Sequence, residues 1–277
     1  MAIQTPLPTL WHVPDDFWSL IAPLLGPEKA LGTPGRPAVP FRRVFDGILY
    51  VLRTGCQWSA LPRTEYAPKS TVWGRFPQGA AAGVFQQAWL RVRVYYDLEV
   101  GIEWKWQALD GAITKAPLGG EATGPSPVDR AKSGTKRSVL SEGRGAPRAV
   151  VAAGANVPDK ALALETVDRA NGLPPAKGGK RVHPLCLDAG YEYADVIAGM
   201  LERDYRLHLK RRREPTLEVP PEKKYPARRW VVERTHAWHN KFRRVLVRWE
   251  KKLAHYYAML DLASTLIVYR LIATADT

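Results

Sequence analysis

Asp110, Asp188 and Glu233 are the residues whose types and settings could do chemistry. Asp110 stands in WKWQALDGAI, where Trp104, Trp106, Ala108 and Asp110 alternate on one face and predict a strand. Asp188 closes the short apolar run VHPLCLD, and Glu233 lies in RWVVERTHAWHNKFRRVLVRWEKK, Arg229 to Lys252, which has neither Pro nor Gly. Two adjacent strands with carboxylates at one end, and a helix crossing nearby, would bring three acids together. Three close carboxylates repel one another and stay ionised only with compensation. Hard divalent cations, typically Mg²⁺, give that compensation through oxygen ligands. Two such ions about 4 Å apart clamp the attacking and leaving oxygens of a phosphodiester. Plainer readings stand beside this one. Asp110 and Asp188 precede Gly and Ala and suit turns, and Glu233 can pair with an arginine on a solvated helix face.

The elements that must position these acids follow from periodicity. In the Arg229–Lys252 stretch, Val231, Thr235, Trp238, Phe242, Val245 and Trp249 recur at helical spacing and predict one long helix with a packed stripe. Glu233 falls opposite that stripe, in line with Asn240, Arg244 and Lys251. Upstream, TKRSVLSE and APRAVVAAGA flank Gly143 and Gly145 as a hairpin. ALALETVDRANG reads as a helix ended by Gly172, Tyr193 to Arg203 as another, YRLHLK as a fifth strand and RRREPTLEVPPEKKYP as a polar loop. The Gly/Pro-rich stretches 116–128 and 172–180 read as surface loops. A last apolar helix runs from about Leu253 to Thr274. The order is three meandering strands, helix, strand, helix, strand, helix: an α/β fold with a mixed sheet of about five strands and flanking helices.

Residues 1–98 have a different texture. Short helical patterns broken by Pro and Gly, among them DDFWSLIAPLL and AGVFQQAWLRVRVYYDLEV, predict a small all-helical N-terminal domain ahead of a second domain over 99–277. Arg36, Arg42, Arg43 and Arg53 suggest that this helical part could touch DNA, and a plain structural helical domain fits the same residues nearly as well.

A formal net charge of +14 points to a polyanionic partner. From Leu201 to Lys252 there are 17 Lys/Arg against 7 Asp/Glu, a clustering that favours a nucleic-acid surface over general solubility. Two cysteines, Cys56 and Cys186, lack CxxC or His spacing, so neither a disulfide framework nor a zinc site is expected. No signal-peptide pattern and no apolar run of membrane length stand out. A soluble chain in a reducing cytoplasm, with no membrane partner, is the expectation.

The runs TGCQWSALP, PVDRAKSGTKR, GAPRAVVAAGANVPD, LDAGY and RWVVERTHAWHNKFRR closely resemble the insertion-sequence DDE transposases of the IS-five group, in the same order and over nearly the whole chain. The resemblance implies an RNase H-like catalytic core with Asp110, Asp188 and Glu233 as its metal-holding triad, served by two Mg²⁺ ions with Mn²⁺ as a substitute. It implies a helical N-terminal domain that helps bind the element's terminal inverted repeats, cleavage and strand transfer into target DNA, and a homodimer or higher oligomer on DNA. Location in the cytoplasm at the nucleoid follows. Arg229, four residues before the Glu, fits a related tyrosine–arginine–glutamate–lysine signature. Its tyrosine falls at Pro226, beside Tyr225, and its lysine at Asn240, beside Lys241. PQGAAAG after Phe76 stands where relatives carry an Arg/Trp-rich helix, and is expected to break that helix. Candidate DNA contacts are Lys132, Lys136, Arg137, Arg229, Arg234, His236, Asn240, Lys241 and Arg244. The rival readings are a related nuclease that cuts without joining, and a decayed copy that only binds DNA.

Overall fold

The computed structural model describes residues 12–28, 34–35, 37–170, 183–209 and 229–274. The readings at Arg36, at Gly172 and 172–180, and at the polar loop with Tyr225 and Pro226, lie outside the described residues. The helical part comprises α1 (Asp15–Ile21), α2 (Phe41–Thr54), α3 (Lys69–Ala81) and α4 (Val84–Glu99). There follow β1 (Gln107–Lys115), β2 (Gly124–Pro125), β3 (Ser133–Glu142), β4 (Pro147–Gly154) and α5 (Asp159–Ala170). The chain continues with β5 (His183–Leu187), α6 (Ala194–Glu202), β6 (Tyr205–Leu209), α7 (Trp230–Asn240), α8 (Arg243–Leu246) and α9 (Leu253–Ala273).

The sheet carries the site. β1, β3 and β4 form an antiparallel meander, and β5 and β6 run parallel to β1, giving the order β4-β3-β1-β5-β6. This is an RNase H-like core with a mixed sheet. The two-residue β2 adds a sixth strand beside the start of β3, inside the stretch expected as a loop. β1 starts at Gln107, later than its alternating pattern suggested. Trp104 lies in a turn, its ring under the Arg148 guanidinium at 4.4 Å and 5.2 Å from His183.

Each sheet face has its own apolar layer. Leu109, Leu140, Leu185 and Leu187 pack with Ala163, Val167, Val196 and Met200 of α5 and α6. Ala108, Val139, Val150 and Cys186 face the other way, into a core shared with Val232, with α9 and with the N-terminal helices. α9 has the length and hydropathy of a membrane span, contrary to expectation. Most of it is buried, with Tyr256, Met259, Leu260, Ala263 and Val268 fully or almost fully enclosed, so its apolar surface is spent on the core.

Two helices depart from their patterns. Pro77 sits inside α3 instead of ending it. The lost N–H bond and ring clash cost on the order of 3 kcal/mol. Burial of Val72 and Phe76, the latter ringed by Trp58, Phe85 and His255, offsets that cost. The expected long helix stops at Asn240. Phe242 takes extended backbone angles, four residues form α8, and Val247 bridges to Lys115. Polar burial drives the break: Arg248 donates to Thr135 Oγ1 at 2.7 Å and Glu121 O at 2.6 Å, bonds that a continuing helix would place elsewhere. Gly55 ends α2 at φ +68°, where a side chain would meet Arg243 Cβ at 2.9 Å, so the same break is packed against α2.

Candidate active site

Asp110 and Asp188 are brought together by strand register. β1 and β5 are parallel with Ala108 opposite Cys186, so both acids lie two residues further on at the same edge. Asp110 Oδ1 accepts the Gly111 N–H at 2.9 Å. Burial pushes the Asp110 carboxyl up to about 6; the Gly111 N–H and Arg229 oppose that rise, and Asp159 and Asp188 add to it. Asp188 caps the 3-10 turn Ala189–Tyr191, accepting the Ala189 N–H at 2.7 Å, so its turn role and its place at the site coexist.

Glu233 stands in the first turn of α7, half-exposed, and meets Asp188 through a shared cation. Arg229 places Nη1 2.9 Å from Asp188 Oδ1, while its Nη2 and Nε are each 3.1 Å from Glu233 Oε1. Its guanidinium charge also acts on Asp110. Asp188 and Glu233 therefore converge on Arg229, with Asp110 within reach of its charge, where the oxygens of all three were expected to face a common metal. Among the described residues no group of three or more His, Cys, Asp or Glu side chains is set to hold a metal ion. The donor set still suits a hard divalent cation: it is all carboxylate oxygen, and a positive charge already lies between two of its members.

Residues 13–89 match the family described as "Putative transposase of IS4/5 family", and residues 107–266 match "Transposase DDE domain". The chain belongs to the DDE transposases of the IS4/5 family. It is similar to "Putative transposase for insertion sequence element IS402" of Burkholderia cepacia, with 36% identity over 56% of this chain and 72% of that one. A second relative, "Insertion element IS402 uncharacterized 16.2 kDa protein" of the same organism, is 32% identical over 42% of this chain and 80% of its own length. The chain also has a distant likeness to the solved "Mos1 transposase paired-end complex with left transposon end", over 89% of this chain and 82% of that one, at 9% identity and a TM-score of 0.29.

The residues expected to touch DNA divide sharply in this transposase. Lys132 and Lys241 are exposed, and Arg229 is partly so. Arg234 is partly exposed, stacked between the Trp230 and Trp238 rings at 4.7 and 4.8 Å, and donates to Arg144 O. Four others are inside and need correcting. Arg137, 1% exposed, donates to Asn240 Oδ1 at 2.7 Å, which engages Asn240 as well. Lys136 is buried on the opposite sheet face against Asp159 at 3.0 Å. His236 is buried beside the Asp110 backbone, and desolvation, then Arg137, push its imidazole down to about 3. Arg244 is buried in a 2.6 Å ion pair with Glu250 and donates to Cys56 O. A basic residue on a strand or helix is not thereby on the surface: Arg137 and Lys136 are held by partners distant in sequence, Arg244 by nearby Glu250 and distant Cys56 O, and His236 is enclosed beside Asp110.

Sequence reading missed Asp159, which begins α5 and feeds into the Asp110 environment. It also missed Tyr191, a buried hydroxyl pushed far up by desolvation and then by Asp159, Asp110 and Asp188. A usable signal existed: Gly111 directly after the strand acid, since glycine inside a strand marks a close approach.

Proposed function

We propose that this chain is a DNA transposase that binds the terminal inverted repeats of an insertion sequence, cuts at the element ends and joins them to target DNA. The observation that carries the reading is the convergence of Asp188 and Glu233 on one cation beside Asp110, within a chain of the DDE transposase family. Asp110, Asp188 and Glu233 would hold two Mg²⁺ ions, with Mn²⁺ able to replace them. When bound, these ions would lower the pKa of an attacking water and stabilise charge on the attacking and leaving oxygens. The residues of the chain do the rest. β1, β5 and α7 fix the three carboxylates, and Arg229, released from them, is placed to bond a DNA phosphate. Water attacks phosphorus, the bond to the 3′ oxygen breaks, and a 3′-OH and a 5′-phosphate result. The 3′-OH then attacks a phosphodiester of the target, displacing its 3′ oxygen. Lys132, Lys241 and Arg234 supply phosphate contacts, residues 1–98 form a helical domain that helps hold the ends, and the active form is a dimer or higher oligomer on DNA in the cytoplasm.

Glu233→Gln tests this directly, because it keeps the volume and removes the charge. Mg²⁺-dependent nicking and strand transfer from a pre-cut end should be abolished. End-DNA affinity should hold or tighten as a negative charge facing phosphates is lost. A Glu233→Gln protein that nicks at the wild-type rate makes the acid structural and sinks the reading. Wild-type nicking without joining of pre-cut ends would make the protein a nuclease instead.

A further inference from the structure

Gly111 follows Asp110 in β1 and so faces the opposite side of the sheet, toward the start of α5. A Cβ at Gly111 would collide with Asp159 Oδ1, so that oxygen fills the space where any other side chain would begin. The other oxygen of the same carboxylate accepts from Lys136 Nζ at 3.0 Å, and Lys136 is itself buried. Asp159 Oδ1 is buried without a hydrogen-bond partner. Tyr191, 1% exposed, also has a hydroxyl without a partner, and the charges acting on it are Asp159, Asp110 and Asp188. The Asp159 side chain is 40% exposed, but a helix-initial Asp needs no oxygen seated against a glycine: macrodipole complementarity would be served equally without it. Seating it against a glycine beside another acid, with two polar atoms left unpaired, is costly unless something repays it. A hydrated divalent cation does so, because Mg²⁺ keeps several waters that bond outward to carboxylates and hydroxyls.

We propose that Asp159 is a positioning carboxylate of the cation site, seated by the missing side chain at Gly111 and anchored by Lys136, which with the Tyr191 hydroxyl orients the cation's waters. The proposal rests on the reading of Asp110, Asp188 and Glu233 as the acids that hold the cation. Asp159 reaches the cation through water, from the α5 side of the sheet, while the three acids hold it directly.

The test uses the full chain without DNA and Mn²⁺ as the probe, with binding followed by electron paramagnetic resonance of the free ion. Asp159→Asn keeps shape and packing but not charge. It should weaken Mn²⁺ binding by about tenfold or more, with no change in DNA affinity in the absence of divalent ions, while the melting temperature falls because buried Lys136 loses its ion pair. Asp159→Glu, too long for its seat, should not restore binding. Tyr191→Phe, which loses one oxygen atom, should weaken binding several-fold and carries the test if Asp159→Asn fails to fold. Asp188→Asn is the control. If it loses Mn²⁺ while Asp159→Asn and Tyr191→Phe bind as the wild type does, this proposal is overturned and the reading of the three acids stands. If Asp188→Asn and Glu233→Gln also bind as the wild type does, the site reading falls and the proposal with it.

Discussion

At the scale of single residues, Asp110 shows what the site costs the protein. Burial holds its carboxyl up to about 6 against an ordinary value of 3.8, so the folded chain binds this proton more tightly than the unfolded one. The sign follows: the stabilisation is fully present below about pH 4 and is lost as the pH climbs through about 6. At pH 8 the penalty is on the order of 2–3 kcal/mol. Asp110→Asn should therefore melt several degrees above the wild type at pH 8 in the absence of divalent ions, and level with it at pH 4. Equal melting temperatures at both values would show that this carboxylate is not strained by its setting. The nicking rate of the wild type should rise with pH through about 6, because the acid must lose its proton to hold a cation. Raising Mg²⁺ should move that rise to lower pH, by mass action on the ionised form.

At the scale of elements, the break between α7 and α9 decides which basic residues are structural. Arg244 and Glu250 form an enclosed pair at 2.6 Å, so removing one partner leaves an unpaired buried charge at about 3–5 kcal/mol. Arg244→Ala should lower the denaturant midpoint markedly, and the double replacement Arg244→Met with Glu250→Leu should recover most of that loss. An Arg244→Ala protein of wild-type stability but weakened DNA affinity would return this residue to the surface role its sequence position suggested. The order of elements along the chain, the Gly143–Gly145 hairpin, and the placing of Asp110 on a strand, Asp188 at a strand's end and Glu233 on a helix were legible in the sequence, because alternation and glycine punctuation are local signals. The break at Lys241–Phe242 was not, because Phe242 and Val245 continue the helical spacing across it. Its cause lies in Arg248 bonds to Glu121 and Thr135, more than a hundred residues away. β3 hid its charges for a related reason. Lys136 and Arg137 are adjacent basic residues, and the pleat sends one to Asp159 and the other to Asn240.

At the scale of the whole molecule, the net charge of +14 overstates what DNA can meet. Arg93, Lys136, Arg137, Arg148, Arg244 and Arg248 are all buried, and burial pushes Arg93, Arg137, Arg148 and Arg248 down from the usual arginine range. Phosphate contacts must come from the remainder, such as Lys132 and Lys241, which are exposed, and the arginines and lysines of residues 210–228, which lie outside the described residues. Each neutralised phosphate releases condensed counterions and contributes about −0.9 to the slope of log affinity against log salt. Four or more contacts give a slope of roughly −4 or steeper for binding to end DNA. Replacing Lys132 and Lys241 together by Ala should make the slope shallower by roughly 2, if both meet phosphate, and weaken binding alike on specific and random duplex. Neutralising Lys210, Arg211, Arg212 and Arg213 should reduce it further. Fluorescence anisotropy over a salt series measures all three proteins on the same duplex. A wild-type slope near zero would mean that the exposed basic residues do not form the DNA surface. An unchanged slope in the Lys132/Lys241 variant would move that surface away from these two lysines, toward the basic stretch 210–213.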